Sequence, residues 1–300
     1  VTIVLLETIH PDAEALLAAH DQVVLAESPA DLGTRIPYAD IVAILTRGRG
    51  QIRRPLLEAC PNLRVVARCG VGLDNIDVAV AQARGIAVER APGSTTIAVA
   101  EHTLLLMLAL ARRLDTLVGA VKAGNWAVRN GYEGHDLYGK TLGIIGMGAI
   151  GQRVAALATA FGMEACYWNR TPRTLPYRQV DLPTLLQQAD VVSIHSALAP
   201  ETHHLLGDRE LALLKPTALL INTARGAIID QVALYSALAA GRLAGFGADV
   251  LDQEPPDPTD PLLTHERALI TPHTSALTAE SYRAMCIQTV QNVLAVLTKA

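Results

Sequence analysis

The sequence predicts an α/β protein made of two doubly wound parallel-sheet domains with a cleft between them. Three observations carry this expectation. Short β-branched runs alternate with helix-like stretches along the chain, which is the grammar of βαβ units. Residues 146–151 read Gly-Met-Gly-Ala-Ile-Gly after one such run, the spacing with which a strand-to-helix turn holds a pyrophosphate. A complete α/β series precedes that turn, and 300 residues suit two domains at about 150 residues each.

In the first series "VTIVLL", "QVVLA", "ADIVAILT", "LRVVARCG" and "GIAVERA" read as strands, with helices over 11–20, 52–60 and 75–84. Runs so short and apolar suit strands covered on both faces. One long helix is expected from about Thr95 to Lys122, followed by a loop rich in Gly and aromatics up to Lys140. The second series reads "TLGIIG", "EACYW", "DVVSIHS", "ALLINTA", "LAGFGADV" and "ALITPH", six strands and the number in a full dinucleotide-binding sheet. The Pro-rich stretch 253–261 lies between two of these strands and reads as a rigid loop.

Composition narrows the function classes. The longest apolar run, Leu104 to Ala111, is flanked by Glu101-His102 and Arg112-Arg113 and falls far short of the ~18 residues of a membrane span. The opening "VTIVLLETIHPD" lacks a basic leader pattern, so a first strand and a cytoplasmic protein are expected. A net charge of −4 without a basic run argues against a nucleic-acid surface. Cys60, Cys69, Cys166 and Cys286 are scattered, without metal-ligand or disulfide-framework spacing, so reduced thiols and no metal site are expected. A small molecule is the expected partner.

The glycine turn follows a strand, opens the helix "AIGQRVAALATAFG" and leads to another strand, the context that gives a GxGxxG its meaning. Gly146, Gly148 and Gly151 therefore mark a dinucleotide site. An acid about 20 residues on takes the ribose hydroxyls of NAD, but this sequence has Asn169 and Arg170 there. Asn169 could donate to a 2′-phosphate and Arg170 could pair with it, with Thr171 and Arg173 nearby, which favours NADP(H) over NAD(H).

Five further segments now matter: "RCGVGLDNID" (68–77), "VAEHTLLLMLALARR" (99–113), "INTARGAIID" (221–230), "ADVLDQEPP" (248–256) and "LITPHTSALTAES" (269–281). In this order they resemble the D-isomer-specific 2-hydroxyacid dehydrogenase family, from about residue 40 to about residue 285. The resemblance implies a flavodoxin-like substrate domain over 1–94 and 275–300, and a Rossmann NAD(P)-binding domain over 95–274. It also implies a homodimer formed through about 99–138. Arg225, Glu254 and His273 take the catalytic roles in this comparison. Hydride reduction of a 2-keto acid needs a proton donor and a cation for the carboxylate. His273 supplies the proton, Glu254 orients it, and Arg225 contacts carboxylate and carbonyl.

The same resemblance places the substrate carboxylate on the backbone of Val71-Gly72, and cofactor contacts at Ala149, Ile150, Ser196, Thr223, Ala224 and Asp249. Asp249 would bond the nicotinamide carboxamide. His102, His195 and the His203-His204 pair read as structural or solvent-exposed, and Cys69 as packing. The family's "PGxN" element stands here as "PGSTT", with Thr95 at the Asn position, and no Trp follows His273. Three functions share these residues. The first is NADPH-type glyoxylate/hydroxypyruvate reduction, which the cofactor reading favours. The second is 3-phosphoglycerate dehydrogenase, in which Arg47 would face a substrate phosphate. The third is a nicotinamide-sensing binding protein of the same fold without turnover.

Overall fold

The computed structural model of the protein describes residues 1–299. The chain divides into two compact units, one over Val1–Thr95 and from Ala276 onward, the other over Thr96–Ser275. The first holds β1 (Thr2–Leu5), α1 (Pro11–Ala18), β2 (Gln22–Leu25), β3 (Ile41–Thr46), α2 (Arg54–Ala59), β4 (Val65–Arg68), α3 (Val78–Ala83) and β5 (Ala87–Arg90). All its pairings are parallel and the strand order is β2-β1-β3-β4-β5. Every residue of β1 and β3 is buried, as strands covered on both faces require. The order reverses between β1 and β3, and the loops after these two strands meet at that switch point.

The second unit opens with α4 (Thr96–Ala111) and α5 (Leu114–Lys122), then β6 (Thr141–Ile145), α6 (Ala149–Ala160), β7 (Glu164–Trp168), β8 (Arg178–Gln179), α7 (Leu182–Gln188) and β9 (Val191–Ile194). It continues with α8 (Asp208–Leu211), β10 (Leu219–Asn222), α9 (Gln231–Ala239), β11 (Gly245–Ala248) and β12 (Ala268–Ile270). Its seven strands are parallel in the order β12-β11-β10-β9-β6-β7-β8. The switch point lies between β6 and β9, where the chain leaves both strands at their C-terminal ends.

Two expectations need correction here. The sheet has seven strands, not six, because the two exposed residues of β8 extend it beyond β7 without any apolar signal. The helix expected over 95–122 is two helices, broken at Arg113, whose φ is +47°. The break is held from a distant loop: His135 N–H donates to the Ala111 carbonyl, and the Tyr132 hydroxyl donates to that of Arg112. These carbonyls of the last turn would otherwise lack partners.

Helix starts follow capping chemistry, with Asp77, Asp181 and Asp230 accepting from first-turn N–H groups of α3, α7 and α9. The C-terminal helix α10 (Ala279–Thr298) returns to the first unit, where Met285, Cys286, Val290 and Val293 join Ile3, Leu5, Leu17 and Val65 in one core. Arg64 donates to the carbonyls of Val296, Leu297 and Lys299 and so closes its last turn. Among the described residues no helix is long and apolar enough to cross a membrane.

Candidate active site

The glycine turn sits at the β6/β9 switch point. Gly146 has φ +99°, and a Cβ on it would lie 2.6 Å from the Ser196 nitrogen, so β6 can leave beside β9 only with glycine there. A Cβ on Gly151 would run into the Gly146 carbonyl oxygen, so α6 starts tight against the turn. Gly148 faces open space. Its neighbours Ala149, Ile150 and Gly151 begin α6, whose first N–H groups have no partner within the helix. An open cradle at a helix N-terminus fits a pyrophosphate. Ser196 lines the same turn, its hydroxyl 3.4 Å from the Ile145 carbonyl.

At the end of β7 the side chains do not stand as expected. Asn169 accepts from the Met147 N–H at 2.6 Å, so its amide is turned into the glycine turn, and its Nδ2 is buried without a partner. That donor is not offered to a 2′-phosphate. Arg170 is exposed and pairs with Glu201 at 2.6 Å.

The segment after β10 is shaped by Asn222, which is 0% exposed. Its Nδ2 donates to the Arg225 carbonyl and its Oδ1 accepts from Ala224 N–H, which closes the turn that carries Thr223, Ala224 and Arg225. Gly226 has its α-carbon against the backbone of Leu251 and Asp252, where no Cβ fits. This contact brings the Arg225 segment against the loop that carries Glu254.

Glu254 and His273 form the centre of the site. Nδ1 of His273 lies 2.6 Å from Oε2 of Glu254, while Oε1 accepts from Leu251 N–H at 3.1 Å. A carboxylate that accepts at Nδ1 leaves the other ring nitrogen, Nε2, to face a substrate. His273 has φ +54°, a left-handed backbone that a non-glycine residue adopts only where its surroundings impose it. Its N–H donates to the carbonyls of Asp249 and Thr271.

Asp249 is 0% exposed and accepts from the Thr271 hydroxyl (2.6 Å), Thr274 N–H (2.9 Å) and Ser275 N–H (2.8 Å). The turn that carries His273 wraps around this carboxylate. Of the other histidines, His195 bonds the Ser193 hydroxyl, and burial pushes its pKa down to about 3. His203 and His204 stack on each other at 4.0 Å. His102 is half-buried and bonded to Thr271 at 2.9 Å.

In the first unit the loop after β3 is organised by Glu7. One oxygen, Oε1, accepts from the Thr46 hydroxyl and from the N–H groups of Arg47, Gly48 and Gly50, at 2.8–3.1 Å. Arg47 lies over the Tyr282 ring at 5.5 Å and donates to its hydroxyl at 3.3 Å. The carbonyl of Val71 accepts from Arg90, and Gly70, just before the Val71-Gly72 turn, has φ +159°. Sequence reasoning missed Asn222 and Glu7. Both stand at strand ends, but only their partners reveal what they hold.

A seven-stranded dinucleotide sheet with an Arg and a Glu–His pair at its strand ends defines a nicotinamide-dependent oxidoreductase. Residues 104–275 match the D-isomer specific 2-hydroxyacid dehydrogenase NAD binding domain. A glyoxylate reductase of Korarchaeum cryptofilum is 41% identical over 263 residues, covering 85% of this chain and 78% of that protein. A D-3-phosphoglycerate dehydrogenase of Methanocaldococcus jannaschii is 38% identical over 95% of this chain, which spans only 55% of its length. A solved NADPH-dependent glyoxylate/hydroxypyruvate reductase from Sinorhizobium meliloti, in complex with NADP and malonate, superposes with a TM-score of 0.91 at 30% identity, covering 99% of this chain and 94% of that one. The chain belongs to the D-isomer specific 2-hydroxyacid dehydrogenase family.

Proposed function

We propose that the protein reduces a small 2-keto acid of the glyoxylate or hydroxypyruvate type to the D-2-hydroxy acid, with NADPH preferred over NADH. The carrying observation is the Glu254–His273 contact, which holds one imidazole nitrogen and frees the other at the end of a dinucleotide sheet. Bound at the glycine turn, a nicotinamide cofactor supplies the hydride. Nε2 of His273 gives its proton to the developing alkoxide. Arg225 neutralises the carboxylate and polarises the ketone. The names of the Korarchaeum and Sinorhizobium relatives support this substrate class.

Preference for NADPH rests on Arg170 and on the missing acid after β7, now without help from Asn169. A 2′-phosphate would take the place of Glu201 beside Arg170. The exchange costs little, since an exposed pair contributes under about 1 kcal/mol. The reading includes a homodimer built on α4 and α5, because α5 fully buries none of its residues in the chain and leaves Leu114, Val118 and Val121 exposed.

The test compares initial rates with NADPH and NADH on glyoxylate, hydroxypyruvate and phosphohydroxypyruvate. Rates at least about tenfold higher with NADPH, on the first two acids, are expected. Turnover chiefly with NADH on the phosphorylated acid would instead assign phosphoglycerate oxidation, with Arg47 as a phosphate ligand. Dinucleotide binding without turnover on any of the three would leave a sensor.

A further inference from the structure

Helix α4 is apolar along most of its length, yet it carries a polar run, Glu101-His102-Thr103, of which Glu101 is exposed while His102 and Thr103 turn inward. Each reaches a different strand end. Thr103 is 0% exposed, and its hydroxyl lies 3.0 Å from that of Thr223, two residues before Arg225. His102 Nε2 lies 2.9 Å from the Thr271 hydroxyl, two residues before His273.

The direction of both chains follows from counting protons. Thr103 spends its hydroxyl proton on the Val99 carbonyl at 2.7 Å, so Thr223 must donate to Thr103. Thr271 gives its proton to the Asp249 carboxylate at 2.6 Å, so it must accept from Nε2 of His102. That carboxylate also accepts from Thr274 and Ser275 N–H, and the Asp249 carbonyl accepts from the N–H of His273 itself. His102 therefore anchors the outermost link of the network that imposes a left-handed backbone on His273.

We infer that His102 and Thr103 are positioning residues through which α4 sets the spacing between the Arg225 segment and the His273 segment. The inference rests on the catalytic assignment of Arg225 and His273 above. Those two groups leave from different strands, β10 and β12, and must meet one small substrate. A misplacement of about 1 Å between reacting groups can cost on the order of a hundredfold in rate. Loose ends on either strand would therefore be felt more strongly in the chemical step than in dinucleotide affinity, to which Thr223 itself is expected to contribute.

The experiment uses the full chain with His102→Leu and Thr103→Val, the conservative His102→Gln and Thr103→Ser, and His273→Gln as reference. It measures kcat, KM for glyoxylate, dinucleotide Kd and thermal midpoint. Leu and Val are expected to lower kcat about tenfold or more each, a larger factor than any accompanying rise in Kd, and Gln and Ser are expected to restore most of kcat. If His102→Leu does not fold, Thr271→Val, which removes only the hydroxyl between His102 and Asp249, carries the same expectation. A collapse in His273→Gln with kcat unchanged in the α4 and Thr271 variants would overturn the positioning role alone. So would a change confined to KM, or a failure of Gln and Ser to rescue. Normal turnover in His273→Gln would instead overturn the catalytic assignment on which it rests.

Discussion

Glu254 has two oxygens and two obligations: Oε2 faces Nδ1 of His273 and Oε1 accepts from Leu251 N–H. A glutamine in its place has one acceptor and must abandon one of them. Either the loop loosens or the imidazole loses the partner that sets its tautomer. Glu254→Gln is therefore expected to lower kcat on the order of a hundredfold with little change in dinucleotide Kd, as rates and fluorescence titration would read. Unchanged kcat would remove Glu254 from the mechanism. The residues that touch substrate in this reading, Arg225 and His273, were legible because their neighbours in sequence form a motif. Asp249, Asn222 and His102 were not, because their work is defined by partners. Nothing near Asp249 in sequence says that Thr271, Thr274 and Ser275 will close around it.

Strands and loops at the element scale follow the same division. The buried strands were legible as apolar runs, and β3 is buried at every residue. Two elements were not. Residues Arg178–Gln179 pair with β7 through a two-residue ladder and the Tyr167 hydroxyl's bond to Gln179, with no apolar run to mark them, and the end of α4 is capped by a loop more than twenty residues further on. The loop after β3 shows how much one side chain can fix, since Glu7 satisfies three backbone N–H groups and a hydroxyl at once. Burial raises its pKa, but the hydrogen bonds from Gly50, Gly48, Thr46 and Arg47 outweigh that and hold it below the ordinary 4.5. A depressed carboxylate pKa adds stability above the unfolded value and loses it as pH falls through the folded one. Glu7→Ala is expected to cost about 1–3 kcal/mol at neutral pH by orphaning those donors. Its thermal midpoint should also fall less steeply than the wild-type midpoint below about pH 4.5. A parallel decline in both proteins would show that Glu7 contributes no proton linkage.

Assembly is the question at the scale of the whole molecule, and α5 poses it. A nine-residue helix that fully buries none of its own residues gains little from the core of its chain, and isolated helices below about 12–15 residues are marginal in water. Its apolar residues Leu114, Val118 and Val121 are exposed, and Trp126 just beyond it is 68% exposed. Ile97 and Leu105 of α4 are exposed as well. Apolar surface on this scale marks an interaction site, and a second copy of the chain offers the same surface to it in a two-fold dimer. Val118→Asp combined with Val121→Asp would bury two carboxylates in such an interface and is expected to yield a monomer by sedimentation, where the wild type is expected to sediment at twice the chain mass. The two substitutions touch neither the glycine turn nor the Glu254–His273 pair, so any fall in kcat on dissociation would be transmitted through the helices. If α4 sets the spacing of the Arg225 and His273 segments through His102 and Thr103, as inferred above, kcat is expected to fall by a larger factor than dinucleotide Kd rises. A wild-type chain that sediments as a monomer at micromolar concentration would remove the dimer and leave α5 to be covered by something else.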